Sequence, residues 1–184
     1  MAGASIVTEN RKIELLSERL SLRPLQPEQA GAVAALLSDE RVRRWMPDAP
    51  RICSTAYAQH MIAQSAMLLG TGRALNLGIF RRDNEVVMGE VTLDLALREI
   101  GIWLGAQYWR QHYGSEALRA ALEFAHHGFG LEKLSAMVHR SNLASCRLFE
   151  KTGFVFRELA FRPASSGCVP YLTYRLDLVG RVPG

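Results

Sequence analysis

The sequence of 184 residues lacks the features that mark several large classes of protein. No apolar run approaches the roughly 20 residues that a membrane-spanning helix needs, and the N-terminus has no continuous apolar segment typical of a secretory signal. Lysine and arginine are scattered rather than gathered into a tract, so a nucleic-acid-binding protein is not indicated. We therefore expect a soluble, cytoplasmic protein that binds neither nucleic acid nor membranes.

Cysteine is also scarce. The three cysteines, Cys53, Cys146 and Cys168, are far apart and odd in number, so no disulfide framework and no metal-binding spacing can be recognised. We expect them to be reduced, buried thiols, and we expect no bound metal or redox cofactor.

The composition is that of a soluble globular protein, with 48% hydrophobic and 22% charged residues. The formal net charge of +4 weakly favours anionic ligands such as phosphates or acidic peptides. No repeat, low-complexity segment or Pro/Gly/Ser-rich linker divides the chain. We therefore expect an N-terminal arm at 1–18, one domain at 19–178 and a short tail at 179–184.

Hydrophobic periodicity predicts alternating strands and helices around one sheet. A helix in 54–70 has the cap residue Ser54 and ends at Gly70. Two strands in 74–95 are joined by a turn at Asp83 and Asn84. The other predicted elements are a strand at 19–25, a helical pattern in 27–45, a central strand at 99–105, a helix from 115, a strand at 133–139, a helix in 141–153 and strands at 154–159 and 170–178.

The segment 99–122 joins a strand to a helix through a loop that ends at Gly114. Such a connection directs unsatisfied backbone N–H groups, and the positive end of the helix dipole, at whatever lies above the loop. The loop therefore suits a pyrophosphate. Most strand–loop–helix connections bind nothing, so this pattern alone is weak evidence.

A second segment, N-x-x-S-x-x-L-F-E-K-T-G-F at 142–154, is more specific. Together with EIGIWLGAQYWRQHYGSEAL it resembles the GNAT N-acetyltransferase superfamily, most closely the branch of ribosomal-protein N-terminal acetylases, over residues 19–178. The resemblance implies an α/β fold with one mixed, mostly antiparallel sheet, about four flanking helices and two splayed central strands. It also implies acetyl-coenzyme A as cosubstrate, with its pantetheine paired to an open strand and its pyrophosphate on the loop.

The resemblance assigns coenzyme contacts by position in the two motifs. His112 stands where the family has a glycine, which accepts a positive φ without strain. Either Arg110, Gln111 and His112 supply side-chain donors in a working site, or coenzyme binding is weakened. Asn142 either contacts the pantetheine amides or only caps its helix. The expected coenzyme contacts are Ile102, Trp103, Leu104, Trp109, Arg110, Gln111, His112, Tyr113, Gly114, Ser115 and Asn142.

Acetyl transfer to an amine requires a base for the amine, donors for the oxyanion and an acid for the thiolate. The resemblance favours Glu99 as the base, although a purely structural ion pair is an equal alternative for this residue. Glu90 is the second candidate, and Glu158 and His139 are weaker ones. The main-chain N–H of Leu104 or its neighbour would hold the oxyanion.

The acid for the thiolate is a tyrosine in many family members, but Phe149 occupies that position here. Ser145 resembles the serine that is proposed for this step in the ribosomal-protein acetylase branch. It equally suits a small residue that lets the pantetheine approach closely. We assume that Trp103 is a core residue.

The acceptor is less constrained by the sequence than the coenzyme. Trp45, with Arg41, Arg43 and Arg44, lies where the family builds its acceptor groove, and these arginines form either a basic groove or a solvated face. The leading prediction is an acetyl-coenzyme A:amine N-acetyltransferase whose acceptor is a protein N-terminus or a small amine. The alternatives are a non-catalytic acyl-coenzyme A binding or sensing module and a domain kept for protein interaction. A homodimer through 170–178 is implied only by analogy.

Overall fold

The computed structural model describes residues 5–9, 12–46, 50, 52–164 and 167–179. Nine strands lie in these residues: β1 Ser5–Glu9, β2 Lys12–Leu16, β3 Leu20–Arg23, β4 Ala74–Arg81, β5 Val87–Asp94, β6 Glu99–Leu104, β7 Lys133–His139, β8 Val155–Ala164 and β9 Gly167–Asp177. They form one sheet in the order β1-β2-β3-β4-β5-β6-β7-β9-β8. Every neighbouring pair is antiparallel except β6 and β7, which are parallel. The predicted mixed, mostly antiparallel sheet is confirmed, and β6 is central in it.

Helices cover both faces of the sheet. They are α1 Ala30–Ser38, α2 Glu40–Arg43, α3 Thr55–Gly70, α4 Tyr113–Phe129 and α5 Leu143–Lys151. Buried residues of α1 and α3 belong to one core cluster and those of α4 and α5 to another, so the two helix pairs lie on opposite faces. The four longer helices match the predicted number. No helix in the described ranges has the length and apolar character needed to cross a membrane.

Local capping explains where the helices begin and end. Ser54 caps α3, because its side chain accepts a hydrogen bond from the Tyr57 N–H at 3.2 Å. Asp39 interrupts the helical pattern of 27–45 and caps α2 by accepting from the Arg41 N–H at 2.9 Å. Helix α4 ends at Gly130, whose φ of 64° is accessible to glycine without strain. The cap predicted at Ser54 is therefore confirmed.

The N-terminal segment, predicted to be an arm at 1–18, contains two strands. Strands β1 and β2 form a hairpin that extends the sheet, and Leu15 pairs with Leu22 of β3. Both leucines are fully buried in the larger core cluster. The alternation in 12–15 is too short to predict a strand, and burial against β3 stabilises it here.

The cysteines follow the expectation at two of three positions. Cys53 and Cys146 are buried free thiols, as expected. Cys168 is exposed, and the expectation of a buried thiol was wrong there. It lies near the start of β9 and pairs with Pro163 of the edge strand β8.

Strand β6 approaches β5 closely at Gly89, and this contact yields a stability prediction. A Cβ at Gly89 would lie 2.8 Å from the Leu104 Cα and against the Trp103 carbonyl oxygen. Both are backbone atoms that cannot move without shifting β6. We expect Gly89→Ala to destabilise the fold by about 1–3 kcal/mol, the usual range for overpacking. Thermal or denaturant unfolding measures this.

The matched control for Gly89→Ala is Gly101→Ala, in the adjacent strand. No atom lies within 4 Å of a Cβ at Gly101, so the free energy of unfolding should change little. Equal losses for both variants would contradict the clash.

Candidate active site

The central feature of the sheet is a gap between β6 and β7. The two parallel strands pair at Glu99 and Ser135, and the fully described stretch 99–139 has no further residue pair between them. Beyond this point β6 stays paired with β5, and β7 with β9. The central strands therefore splay apart, as predicted, and each presents an open edge to the gap.

The hydrogen bonds on either side of β6 identify which main-chain groups face the gap. The Gly105 N–H donates to the Met88 carbonyl of β5, and the Arg98 carbonyl accepts from the Ser135 N–H of β7, both at 2.8 Å. Main-chain groups alternate between the two edges of a strand. Ile102 and Leu104 therefore direct their N–H groups into the gap.

The same alternation corrects the contact predicted for Trp103. Its carbonyl points toward Gly89 of β5, so its main-chain groups lie on the paired edge. The Leu104 carbonyl is also engaged, because it accepts a hydrogen bond from the Trp109 indole at 2.8 Å. A ligand in the gap would thus pair mainly with Ile102 and the Leu104 N–H.

At the open end of the gap a loop leads from β6 to the start of α4. Within a helix the first four N–H groups have no intrahelical acceptor, and the helix dipole places partial positive charge there. Here the Glu116 N–H donates to the His112 carbonyl at 3.1 Å, so the preceding N–H groups at 113–115 remain available. The buried Ser115 hydroxyl also donates to that carbonyl, at 2.9 Å, and fixes the turn.

Two residues of the loop adopt the left-handed backbone conformation, although neither of them is a glycine. Arg110 has a φ of 60° and His112 a φ of 65°, and His112 is the residue that precedes α4. Both side chains are exposed. The histidine therefore takes the conformation expected of the family's glycine, and α4 begins at Tyr113, two residues before the predicted opening at Ser115.

The remaining side chains of the loop are occupied within the protein. The Gln111 amide donates to the Gln107 carbonyl at 2.7 Å, Tyr113 is buried, and Trp109 holds Leu104. Gly114 packs against α5, since a Cβ there would lie 3.1 Å from Leu148. Anion binding by this loop would therefore rest on its backbone and on the exposed arginine and histidine.

Helix α5 lies across the gap from α4. The Asn142 side chain caps it by accepting from the Ser145 N–H at 3.2 Å, which is the capping alternative. Its amide nitrogen remains a potential donor. Ser145 is half-buried one turn into the helix, whereas Phe149 is 3% exposed and packs edge-on against Phe154. Phe149 is thus part of the core.

Glu90 is a buried carboxyl on β5, the strand next to β6 on the side away from the gap. It is 6% exposed and pairs across β5 and β6 with Trp103, so both side chains lie on the face covered by α1 and α3. Burial raises the pKa of Glu90 to about 7, while the nearby Trp103 indole and Thr92 hydroxyl lower it. The Trp103 indole N–H is buried and outside hydrogen-bond geometry to any described residue.

Glu99 occupies a different position on the same face. It lies at the closed end of the gap, where β6 still pairs with β7, and its carboxylate is 3.3 Å from the Arg162 guanidinium. Burial raises the pKa of Glu99 and Arg162 opposes this rise, while Asp94 raises it further. Glu158 is exposed on β8, two strands from the gap, and is not brought to the site.

An aromatic cluster that the sequence did not predict lies at the open end of β7. The His139 ring is 5.4 Å from Trp45 and 5.7 Å from Tyr171, measured between ring centroids. The Arg44 guanidinium lies 4.8 Å above the Trp45 ring. His139 also accepts a hydrogen bond from the Ser141 N–H at 3.1 Å. Only the register of β7 with β9 reveals this cluster, because Tyr171 is distant in sequence.

The arginines near Trp45 are partly neutralised. Arg41 forms an ion pair with Asp39 at 2.6 Å, and Arg43 lies 3.9 Å from Glu40.

In the described parts of the chain, no group of three or more His, Cys, Asp or Glu side chains is arranged to hold a metal ion.

Comparison with known proteins agrees with this geometry. The model of the acetyltransferase (GNAT) domain family matches residues 19–155. An uncharacterized N-acetyltransferase of Bacillus subtilis (strain 168), YoaA, is 30% identical over 145 residues, which cover 76% of this chain and 81% of that protein.

Solved structures share the fold at lower identity. Mycobacterium smegmatis RimJ, solved with a coenzyme A disulfide, superposes with a TM-score of 0.78 at 20% identity, over 90% of this chain and 84% of that one. RimL, a ribosomal L7/L12 alpha-N-protein acetyltransferase solved with coenzyme A, has a TM-score of 0.76 at 17% identity, over 88% and 95%. The family match and the splayed sheet together establish that the chain belongs to the GNAT acetyltransferase family.

Proposed function

We propose that the protein transfers acetyl from acetyl-coenzyme A to a primary amine, carried by a protein N-terminus or a small molecule. The observation that carries the proposal is a buried carboxyl, Glu90, on the strand next to β6, whose other edge is open and leads to a helix N-terminus. The edge suits an amide-containing arm, and the helix start suits a pyrophosphate. The relatives named N-acetyltransferases support nitrogen as the acceptor atom.

Glu90 replaces Glu99 as the proposed base. It lies opposite Trp103, where the strands have already separated, whereas Glu99 lies where they still pair. A base is most effective when its pKa is near the working pH, and that of Glu90 is about 7. The Arg162 ion pair leaves Glu99 a structural role.

In the proposed reaction, the amine nitrogen attacks the thioester carbonyl carbon while its proton passes to the Glu90 carboxylate. The Leu104 N–H, which faces the gap, would donate to the oxyanion. The carbon–sulfur bond then breaks, and the departing thiolate takes a proton. Ser145 is the proposed donor, because Phe149 is buried and has no acidic proton. Ser145 regains its proton from solvent, to which Glu90 releases the proton taken from the amine.

The alternative is an acyl-coenzyme A binding module without turnover. It is favoured by the non-glycine loop residues Arg110 and His112 and by Phe149. The buried carboxyl argues for the enzyme, because a binding module gains nothing from leaving Glu90 in an apolar setting.

Calorimetric titration with acetyl-coenzyme A tests the donor site. We expect micromolar binding by the wild type, and a change of less than about threefold in Kd for His112→Gly, since the histidine already has the required φ of 65°. Binding by the glycine variant alone would mean that His112 closes the loop. Absence of binding by both would refute the coenzyme site.

Amine screening with Glu90→Gln tests the base. The variant should lose about 100-fold or more in kcat while its Kd for acetyl-coenzyme A stays unchanged. Wild-type kcat/KM should fall as the pH drops below about 7, because the carboxyl becomes protonated there. Glu99→Gln should lose less than Glu90→Gln, and the reverse order would restore Glu99 as the base.

The raised pKa of Glu90 also predicts how the free energy of unfolding depends on pH, which can be measured without a substrate. A pKa raised from 4.5 to about 7 means that the folded state binds the proton more tightly than the unfolded state. The resulting stability is complete below pH 4.5 and is lost as the pH rises through 7. At about 1.4 kcal/mol per pKa unit, the loss is about 3 kcal/mol.

Glu90→Gln removes this titration. Its free energy of unfolding, relative to wild type, should therefore rise by about 3 kcal/mol between pH 4 and pH 8. The control is Glu28→Gln, an exposed carboxyl that should give no such trend. A pH-independent difference for Glu90→Gln would show that the carboxyl is not held in its neutral form.

A further inference from the structure

Arg19, in the turn between β2 and β3, reaches across to the loop before α4. Its Nη1 donates to the Gln111 carbonyl at 3.2 Å, and its guanidinium lies 4.4 Å above the Tyr113 ring. These two contacts bracket His112. The arginine therefore touches the loop on both sides of the residue that replaces the family's glycine.

The same arginine is fixed by the first turn of α4. Its Nε and its main-chain N–H each donate to the Glu116 carboxylate at 2.8 Å, and Nη2 lies 2.7 Å from that carboxylate. The Ser17 hydroxyl adds a fourth hydrogen bond at 2.7 Å. Nε and Nη2 converge on one carboxylate oxygen, while the other oxygen accepts from the Arg19 main chain and the Ser17 hydroxyl. A network of this kind fixes the side chains more firmly than an isolated surface pair does.

The charge state of Glu116 supports a persistent network. Burial raises the pKa of this carboxyl, but the hydrogen bonds from the Arg19 main chain, the Ser17 hydroxyl and the Arg19 side chain outweigh burial, so that the pKa lies below its ordinary value. The carboxylate is therefore ionised at neutral pH.

The loop needs such support because of its backbone. Arg110 and His112 both have φ near +60°, which strains residues with a Cβ. Strained conformations persist only where surrounding contacts fix them. The carbonyl that Arg19 holds belongs to Gln111, the residue between the two strained ones.

We propose that Arg19 is a positioning residue for the coenzyme: it clamps the loop 110–113 in the left-handed conformation that glycine would adopt without help. The inference rests on the proposed function, in which this loop holds the pyrophosphate. Arg19 does not serve as a phosphate ligand, because Nε, Nη1 and Nη2 are directed at Glu116 and Gln111.

The test compares Arg19→Gln with a matched control, Arg23→Gln. Arg23 lies on β3, stacks over the Phe80 ring at 4.0 Å and pairs with carboxylates, but it does not touch the loop. Two quantities are measured: hydrogen exchange of the Glu116 amide, which donates to His112, and the Kd for acetyl-coenzyme A. We expect Arg19→Gln to raise the exchange rate of the Glu116 amide and the Kd for acetyl-coenzyme A about tenfold each. Arg23→Gln should change neither the rate nor the Kd by more than about twofold.

A second comparison separates the clamp from general stability. Glycine adopts a positive φ without support, so His112→Gly should restore most of the coenzyme affinity lost in Arg19→Gln. Arg19→Lys should retain only part of the affinity, since a single ammonium lacks the separate guanidinium nitrogens that contact Glu116 and the Gln111 carbonyl. No rescue by the glycine would overturn the proposed link between Arg19 and His112.

The remaining outcomes are also decisive. Equal exchange and equal Kd in the two arginine variants would overturn the clamp. Faster exchange with an unchanged Kd would overturn its role toward the coenzyme. If the wild type does not bind acetyl-coenzyme A, the proposed function fails, and the exchange comparison alone then decides whether Arg19 holds the loop.

Discussion

The single residue pair between β6 and β7 is the constraint on which the site depends. Each of these strands is fully hydrogen-bonded to its outer neighbour, and within the described stretch 99–139 they pair only at Glu99 and Ser135. Unpaired main-chain groups inside a protein are unfavourable unless something satisfies them. The open edges therefore suit the proposed ligand, because an arm with its own amides would supply the hydrogen bonds that the two strands do not make with each other.

The gap also divides the chemistry between the two faces of the sheet. Helices α4 and α5 pack on one face and provide the helix start and Ser145, while α1 and α3 cover the other, where Glu90 and Trp103 lie. A donor that enters along the loop before α4 and an acceptor that enters on the Glu90 side would meet between the strands. The aromatic rings of Trp45 and His139 border that second side at the open end.

Much of this fold follows from local sequence patterns. The hairpin in 74–95, the central strand and the helices from Ser54 and near Ser115 were predicted because each has its own periodicity and cap. The hairpin β1–β2 was missed, since its stability comes from pairing with β3 rather than from its own residues. The exposure of Cys168 was missed because composition does not reveal that β8 and β9 lie at the end of the sheet.

The site was predictable in outline but not in its internal assignments. The motif located the loop, Asn142 and the strand, yet only the register with β5 shows that Trp103 faces the paired edge and Ile102 the open one. The contact of Arg19 with Gln111 likewise joins residues far apart in the chain. No local sequence pattern distinguishes a histidine that prevents the loop from binding an anion from one that distant contacts hold in the required conformation.

Glu90 and Glu99 lie on neighbouring strands, and their surroundings shift the pKa of each carboxyl to a different extent. Both lie on the same face and burial raises the pKa of both, but an arginine, Arg162, opposes the rise only at Glu99. Glu90 has no cation among the causes of its shift, and burial raises its pKa to about 7. A carboxyl placed in this way lowers the stability of the folded protein at neutral pH. This difference between the two carboxyls is the physical ground for the proposal that Glu90, rather than Glu99, is the base.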